Sequence, residues 1–524
     1  MVRALGRFEA TLLGNATLSP AAGRAWAEAA PALVAQRFRE GGEAAVLPWL
    51  SQAGRLLAEL GAAELGERSG WLPQGFARRL SRFTEALAAW LDAPAPDHLK
   101  ALTDAERAVQ VHGLAPAREL ESDGAGLLLR LARSLAVQRP VARSFAEAAA
   151  SYVREGSWID RARTALAEVQ PGAPLAGVYE RLLDRVTVLR EEESRRFAHL
   201  LADWNETPTA TDSVIPLEDL LDRVVAPLAA AGPVLLLVLD GMSFAVFRAL
   251  ADDLEARGWE ELRPAGVEER LCGVGLLPTV TAVCRASLLA GERRTGDDGT
   301  ESRAFAGHAA LRRHGAAARP PVLFHKGDLA EAAGVLDEVR DGRRRVVGVV
   351  LNVVDDRLPK GGQLLPRWSV DAVRPLREIL QAAESAGRTV VLTADHGHVL
   401  ERRSELRRHD QARGRYRPAG GAPAGEGEVA ARGPRVLAGD GAGLVLAWSE
   451  RLRYTNLQDG YHGGASPQEV LVPVSLWAPH GPLPPGWEPA PPDVPDWWRD
   501  EPEPPAAASP IITPIARPKV PAPA

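Results

Sequence analysis

Cysteine is nearly missing from this 524-residue chain: it has two, Cys272 and Cys284, and neither sits in a metal-binding or redox spacing. A disulfide-held fold is thereby excluded, and a reducing compartment fits. Long apolar runs are missing too. The longest, Val234–Leu239 and Val346–Leu351, fall far short of the ~20 residues that cross a bilayer. The opening stretch MVRALGRFEATLLG lacks the continuous apolar segment of a secretion signal. The expected setting is cytoplasmic, with no membrane partner. A net charge of −6 leaves no general positive excess for coating nucleic acid, although a local basic patch survives such an average. What is present, 46% hydrophobic and 25% charged residues, suffices for a large buried core, and the length predicts two or three units.

Residues 1–205 read as helical. Phe76, Leu80, Phe83, Leu87, Trp90 and Leu91 recur at three- and four-residue steps, as do Leu175, Tyr179, Leu182, Val186 and Leu189, so each set makes one apolar helix face. Gly113–Pro116 and Gly172–Pro174 break the pattern. No chemistry-bearing cluster falls here, and the expectation is an all-α interaction or packing module.

After Pro208 the texture changes. Short buried-type strands are predicted at Val234–Leu239, Val322–Phe324, Val346–Val354, Thr389–Thr393, Leu444–Trp448 and Val470–Leu476, with helices between them, notably Val370–Ala383 behind a Ser369 cap. Alternating strands and helices imply an α/β sandwich on a largely parallel sheet, over about residues 215–480. Ligands of such sheets collect beyond the carboxyl ends of the strands. Asp240, Asp355 and Asp395 each stand just after a predicted strand. Residues 481–524 are Pro-rich and read as an extended linker or tail, which suggests a piece of a longer polypeptide.

The chemistry-bearing residues follow in order: Asp240; Thr279 and Thr281 in Leu-Pro-Thr-Val-Thr-Ala, opening a helix; Asp355; Asp395-His396-Gly397-His398; and His462 in Tyr-His-Gly-Gly. Hydrolysing a phosphate ester requires neutralising the phosphoryl oxygens while activating a nucleophile, and two divalent ions ~3.5–4 Å apart do both. Aspartate and histidine suit zinc, with manganese or magnesium as alternatives. A hydroxyl at a helix N-terminus also stands where free amides favour phosphate. Each piece alone has a blander reading as turn, cap or surface residue. Their joint occurrence at strand ends is what points to a site.

In these segments the chain resembles the alkaline-phosphatase superfamily, and within it the PglZ proteins of bacterial BREX phage-defence systems, particularly the type 2 form. The carrying stretches are VLLLVLDGMS (Val234–Ser243), LPTVTAVCRASLLAGE (Leu277–Glu292), VVLNVVDDRL (Val349–Leu358), VVLTADHGHV (Val390–Val399) and YHGGASPQEVLVPV (Tyr461–Val474). The resemblance implies a metal-dependent phosphatase or phosphodiesterase of antiviral defence, working beside other BREX proteins. It implies that Asp240, Asp395 and His396 bind one ion, Asp355 and His462 the other, and that Thr281, ahead of Thr279, attacks phosphorus. Related phosphodiesterases carry Asn three residues after the nucleophile, where this chain has Cys284. They also carry a ligand His four residues after the counterpart of Asp355, where it has Pro359. Asp356 and His398 are the nearest substitutes. One or two ions are therefore expected, the second weakly held, and the rival expectation is a scaffold of low or no activity.

Between His398 and Val436 the chain is rich in Arg and Gly, with Arg402, Arg403, Arg407, Arg408, Arg413, Arg415 and Arg417. A solvated loop is the plain expectation. Its place beside the site makes Arg402, Arg403, Arg407 and Arg408 candidates for holding a polyanion such as a nucleic-acid backbone.

Overall fold

All six residues of Val234–Leu239 are buried, which a strand achieves only with neighbours on both edges and layers on both faces. In the computed structural model this strand, β2, lies at the centre of the main sheet. The structure describes residues 2–499 except 15, 170–172, 210, 315–318, 359–367, 438–442, 480 and 482. Among these, nine strands form the main sheet. In chain order they are β1 (Val214–Pro216), β2, β3 (Glu260–Pro264), β4 (Cys272–Val274), β5 (Val322–Phe324), β6 (Val346–Leu351) and β7 (Thr389–Thr393), then Leu471–Ala478 and Trp487–Pro489. The path runs β1, β4, Leu471–Ala478, β7, β2, β6, β5. The block β7-β2-β6-β5 is parallel, and Leu471–Ala478 pairs antiparallel with β7, β4 and β3. The fold class is thus an α/β sandwich on a mostly parallel sheet, with helices preceding it.

Parallel register places the carboxyl ends of β7, β2 and β6 side by side: Val238 faces Thr393 on one neighbour and Val350 on the other. Asp395, Asp240 and Asp355 follow those ends by two, one and four residues, so three carboxylates are delivered to one edge.

Among the described residues, eight α-helices precede the sheet, from Val2–Leu12 to Ala173–Glu206. In Pro73–Asp92 the predicted stripe Phe76, Leu80, Phe83, Leu87, Trp90 and Leu91 is buried. The break at Gly113–Pro116 holds the short 3₁₀ turn Ala115–Ala117. Gly172 lies outside the described residues, and a helix begins at Ala173.

Four expectations are corrected. The strand predicted to Val354 ends at Leu351, and a 3₁₀ turn at Asp355–Arg357 follows. The helix expected over Val370–Ala383 begins at Leu376. Pro375 has no N–H to give and disfavours helical geometry at Arg374, so Val370 and Val373 are buried in turns instead, with Ser369 Oγ accepting from the Ala372 amide at 3.2 Å. The Arg-rich insertion is no loose loop. Tyr416–Pro418, Leu444–Ala447 and Glu428–Ala431 form an antiparallel sheet, and Arg415 and Arg417 are buried in ion pairs with Glu469 and Glu428. The Pro-rich stretch after Pro479 is anchored as far as Arg499: Trp487–Pro489 pairs with β3, and Trp497 enters the helical core. Tryptophan, not proline, decides that segment, because each indole buries a large apolar area. Residues 501–524 of the expected tail lie outside the described residues.

Candidate metal centre

Asp240 follows β2 directly, and Gly241 after it has φ 75°, a left-handed turn that glycine adopts without strain. A Cβ at Gly241 would sit 3.3 Å from Asp355 Cβ, so the turn also lets β2 and the β6 exit approach each other. Helix Phe244–Ala256 then leads the chain away. Asp395 is fixed through one oxygen: Oδ1 accepts from the Gly241 amide (3.1 Å) and the His396 amide (2.9 Å). Its other oxygen, Oδ2, is buried with no hydrogen-bond partner.

His396 Nδ1 lies 3.0 Å from the Gly397 carbonyl, which places the ring proton there and leaves Nε2 with its lone pair. Nε2 is 3.6 Å from Asp240 Oδ1 and 3.5 Å from Asp395 Oδ2. Thr281 Oγ1 lies 3.3 Å from Asp240 Oδ1 and 3.2 Å from His396 Nε2. Its single proton serves one of these acceptors at a time. Three lone-pair atoms therefore converge with fewer protons than they need, and an unpaired buried acceptor costs about 1–3 kcal/mol. A divalent cation resolves that shortfall, so Asp240, Asp395 and His396 fit one.

At the solvent edge His462 Nε2 stands 3.3 Å from Asp355 Oδ1, and its Nδ1 is 3.2 Å from the Thr279 carbonyl. The His396 and His462 rings stack at 4.4 Å, so the two sets adjoin. One donor atom each from Asp355, His396 and His462, and separately from Asp240, Asp395 and His396, can approach within ion-binding spacing. The first set is half-buried at Asp355 and His462 and the second is wholly buried.

Electrostatics follow from the burial. Burial, with Asp395 beside it, pushes Asp240 up to about 7, and burial pushes Asp395 up to about 6. Both shifts say that this space disfavours bare negative charge. Burial lowers His462, helped by His396, and lowers His398 to about 4.

The remaining predicted residues divide clearly. Thr281 is the first residue of helix Thr281–Ala290, and no side chain caps that helix, so its hydroxyl is directed to the acidic cluster. Thr279 is committed elsewhere: its hydroxyl donates to the Gly464 carbonyl (3.0 Å) and accepts from the Gly463 amide (3.1 Å). His398 Nδ1 donates to the Gly241 carbonyl at 2.7 Å, and Asp356 reaches outward to Lys326. Pro359 lies outside the described residues. Cys284 is buried, its thiol donating to the Leu276 carbonyl at 3.2 Å. Arg402, Arg403 and Arg407 line a cavity of about 1120 Å³ whose other wall carries Glu180, Asp184, Glu191 and Glu192, so the field there is mixed. Arg403 pairs with Glu180 and Arg407 with Glu428, and Arg408 is exposed.

Three residues escaped sequence reasoning. Arg285 Nη1 and Asn352 Nδ2 each donate to Asp240 Oδ2 at 2.8 Å. Arg285 lies one turn after Thr281, and Asn352 one residue after β6. Glu469, fully buried, accepts from the Gly464 amide and from Arg415 and so fixes the loop bearing His462. Its signal was legible as Ser466-Pro-Gln-Glu469, a capping-box pattern that the structure realises.

A three-aspartate, two-histidine cluster with a hydroxyl at its edge thus stands beyond the carboxyl ends of parallel strands. Residues 220–476 match the family described as "BREX system PglZ alkaline phosphatase-like domain", and this part of the chain is a PglZ domain. Among solved structures, the chain is similar to phosphonoacetate hydrolase from Sinorhizobium meliloti 1021 in complex with phosphonoacetate, at 14% identity and a TM-score of 0.32, covering 49% of this chain and 92% of that one. The same enzyme with phosphonoformate gives 14% identity and 0.31 at the same coverage. No curated protein matches. No helix among the described residues is long and apolar enough to cross a membrane.

Proposed function

We propose that the chain is a metal-dependent phosphoric-ester hydrolase of bacterial anti-phage defence, with Thr281 as its nucleophile. The observation that carries this reading is the position of Thr281 Oγ1, within 3.3 Å of both Asp240 Oδ1 and His396 Nε2. Asp240, Asp395 and His396 would hold one ion and Asp355 and His462 another, zinc before manganese or magnesium, together supplying charge neutralisation and a lowered hydroxyl pKa. An ion held by Asp240 and His396 would stand beside the Thr281 hydroxyl, and the place of that hydroxyl at the head of a ten-residue helix favours an anion in front of it. Oγ1 attacks phosphorus and the P–O bond to the leaving group breaks, giving a phosphothreonine that water then hydrolyses. Thr279 and Glu469 act as positioning residues by holding the His462 loop.

The helical segment 1–205 serves in this reading as the docking module for other BREX proteins. Trp26, Leu33, Leu47 and Trp49 support it, since all four are large apolar side chains left exposed on Pro20–Glu59. A second reading, a metal-binding scaffold of low activity, draws support from Arg285, which pairs with Asp240 and occupies its Oδ2. The deciding experiment is turnover of an aryl phosphate and a bis-aryl phosphodiester by zinc- or manganese-loaded protein. Thr281→Ala should lose about a thousandfold or more with metal content unchanged, and Thr281→Ser should keep part. Full activity in Thr281→Ala would remove Thr281 from the role. No turnover of either ester by the wild type would leave the scaffold.

A further inference from the structure

On the side of Arg285 away from Thr281 a second group of ligand-type side chains converges. Asp298 and Glu301 are one turn apart on helix Asp298–Gly307, and His325 follows β5. Arg285 Nε donates to both Glu301 oxygens (3.2 and 3.0 Å) and Nη2 to Asp298, while Nη1 is already engaged with Asp240. One guanidinium thus serves three carboxylates, and negative charge is left over. The imidazole of His325 is 6% exposed and faces this surplus: Nδ1 is 3.6 Å from Asp298 Oδ1 and Nε2 3.7 Å from Glu301 Oε2. Neither ring nitrogen has a hydrogen-bond partner. An imidazolium paired with those carboxylates would close to about 2.7–2.9 Å. One donor atom from each of the three residues lies within 4.8 Å of the others, so a closing of a few tenths of an ångström brings them within reach of one ion with bonds of about 2.0–2.2 Å.

We propose that Asp298, Glu301 and His325 form a further divalent-cation site, separate from the sets at Asp240 and Asp355. Two carboxylates and one imidazole make an oxygen–nitrogen site of the zinc or manganese class. An ion there competes with Arg285 for Glu301 and Asp298, so its occupancy governs how firmly the guanidinium is drawn from Asp240. The site does not depend on Thr281 being a nucleophile.

The test is a metal count on the full chain, stripped with chelator, loaded with zinc and desalted. His325→Ala and Glu301→Gln should each lose one zinc equivalent relative to wild type. In an Asp395→Asn/His462→Ala background, which disables the other two sets, one equivalent should remain and disappear when His325→Ala is added. Circular dichroism identifies the folded variants, and His325→Gln replaces His325→Ala if the latter fails to fold. An unchanged zinc count in a folded His325 or Glu301 variant overturns the proposal. Loss of activity alone, as in Thr281→Ala, leaves this count untouched and so tests only the nucleophile.

Discussion

Replacing Asp240 by Asn should stabilise the metal-free protein and destabilise the metal-loaded one. Asp240 is fully buried, and its carboxyl is pushed from 3.8 to about 7, first by burial and then by Asp395. Between those values the folded state holds a proton that the unfolded state has released. Stability therefore falls as pH rises from about 4 to about 7, and the full cost is present above that range. At about 1.4 kcal/mol per pKa unit, the cost is about 4 kcal/mol at pH 8 and about 2 kcal/mol at pH 5. Asparagine keeps an oxygen for Arg285 and Asn352 but carries no charge, so it removes this cost. In chelator, Asp240→Asn should melt several degrees above wild type at pH 8, with a smaller gain at pH 5. Zinc should reverse the order once its free concentration exceeds Kd by well over a thousandfold, because binding to the native state then stabilises wild type by more than about 4.1 kcal/mol, and the variant has lost a ligand. Differential scanning fluorimetry with chelator and with zinc, at both pH values, reads all four conditions. A lower melting temperature for Asp240→Asn in chelator at pH 8, or equal gains at the two pH values, would show that Arg285 already balances an ionised Asp240.

Three other perturbations address neighbouring parts of the centre. His462→Ala should strip one ion while the wholly buried Asp240–Asp395–His396 set keeps its own, checked by metal counting; simultaneous loss of both would show that the stacked histidines make one inseparable site. Gly397→Ala places a Cβ 2.0 Å from the Gln468 carbonyl oxygen, so the His396 backbone must shift; metal affinity should fall about tenfold or more, and unchanged affinity by calorimetry would reject this close packing as a determinant. Changing Arg402, Arg403, Arg407 and Arg408 to Ser should weaken DNA or RNA binding and flatten its salt dependence if those arginines hold a polyanion; intact protein without salt-sensitive binding would reject that role and leave Arg403 and Arg407 to their ion pairs with Glu180 and Glu428.

The central strands were legible because burial on both faces writes an uninterrupted apolar run, as in Val234–Leu239 and Val346–Leu351. The three aspartates were legible because parallel sheets present ligands at one edge. Arg285 and Asn352 were not, since an arginine inside a helix and an asparagine after a strand usually face water. Only the crossing of β2, β6 and helix Thr281–Ala290 at Asp240 gives them their role. The fold of the Arg-rich insertion was hidden for a related reason. Arg415 and Arg417 look like solvated charges until Glu469 and Glu428, distant in sequence, arrive to pair with them. Composition reports charge, and partnership depends on tertiary structure.

The same dependence ties the preceding helices to the site. Phe145, Tyr152, Phe197 and Leu201 pack into the apolar cluster that contains the strands of the main sheet, so their burial and that of the sheet are coupled. The polar links run in parallel. Glu191 accepts from the Glu450 amide at 2.9 Å and from the Ser449 hydroxyl, and Arg163 pairs with Glu450 and Asp160 with almost no exposure. Ser449 in turn holds Arg415 through its carbonyl at 3.0 Å, and Arg415 holds Glu469, which fixes the loop of His462. A continuous chain of buried and half-buried ion pairs and hydrogen bonds therefore connects helix Ala173–Glu206 with the loop bearing His462. Breaking one member of a buried pair leaves the other charge uncompensated, at a cost of about 3–5 kcal/mol. A partner that docked on the helices and strained this chain would act on His462 rather than on Asp240, because Asp240 and Asp395 follow β2 and β7 by one and two residues and take no part in it. Any such control would thus fall on the half-buried Asp355–His462 set and leave the wholly buried set in place.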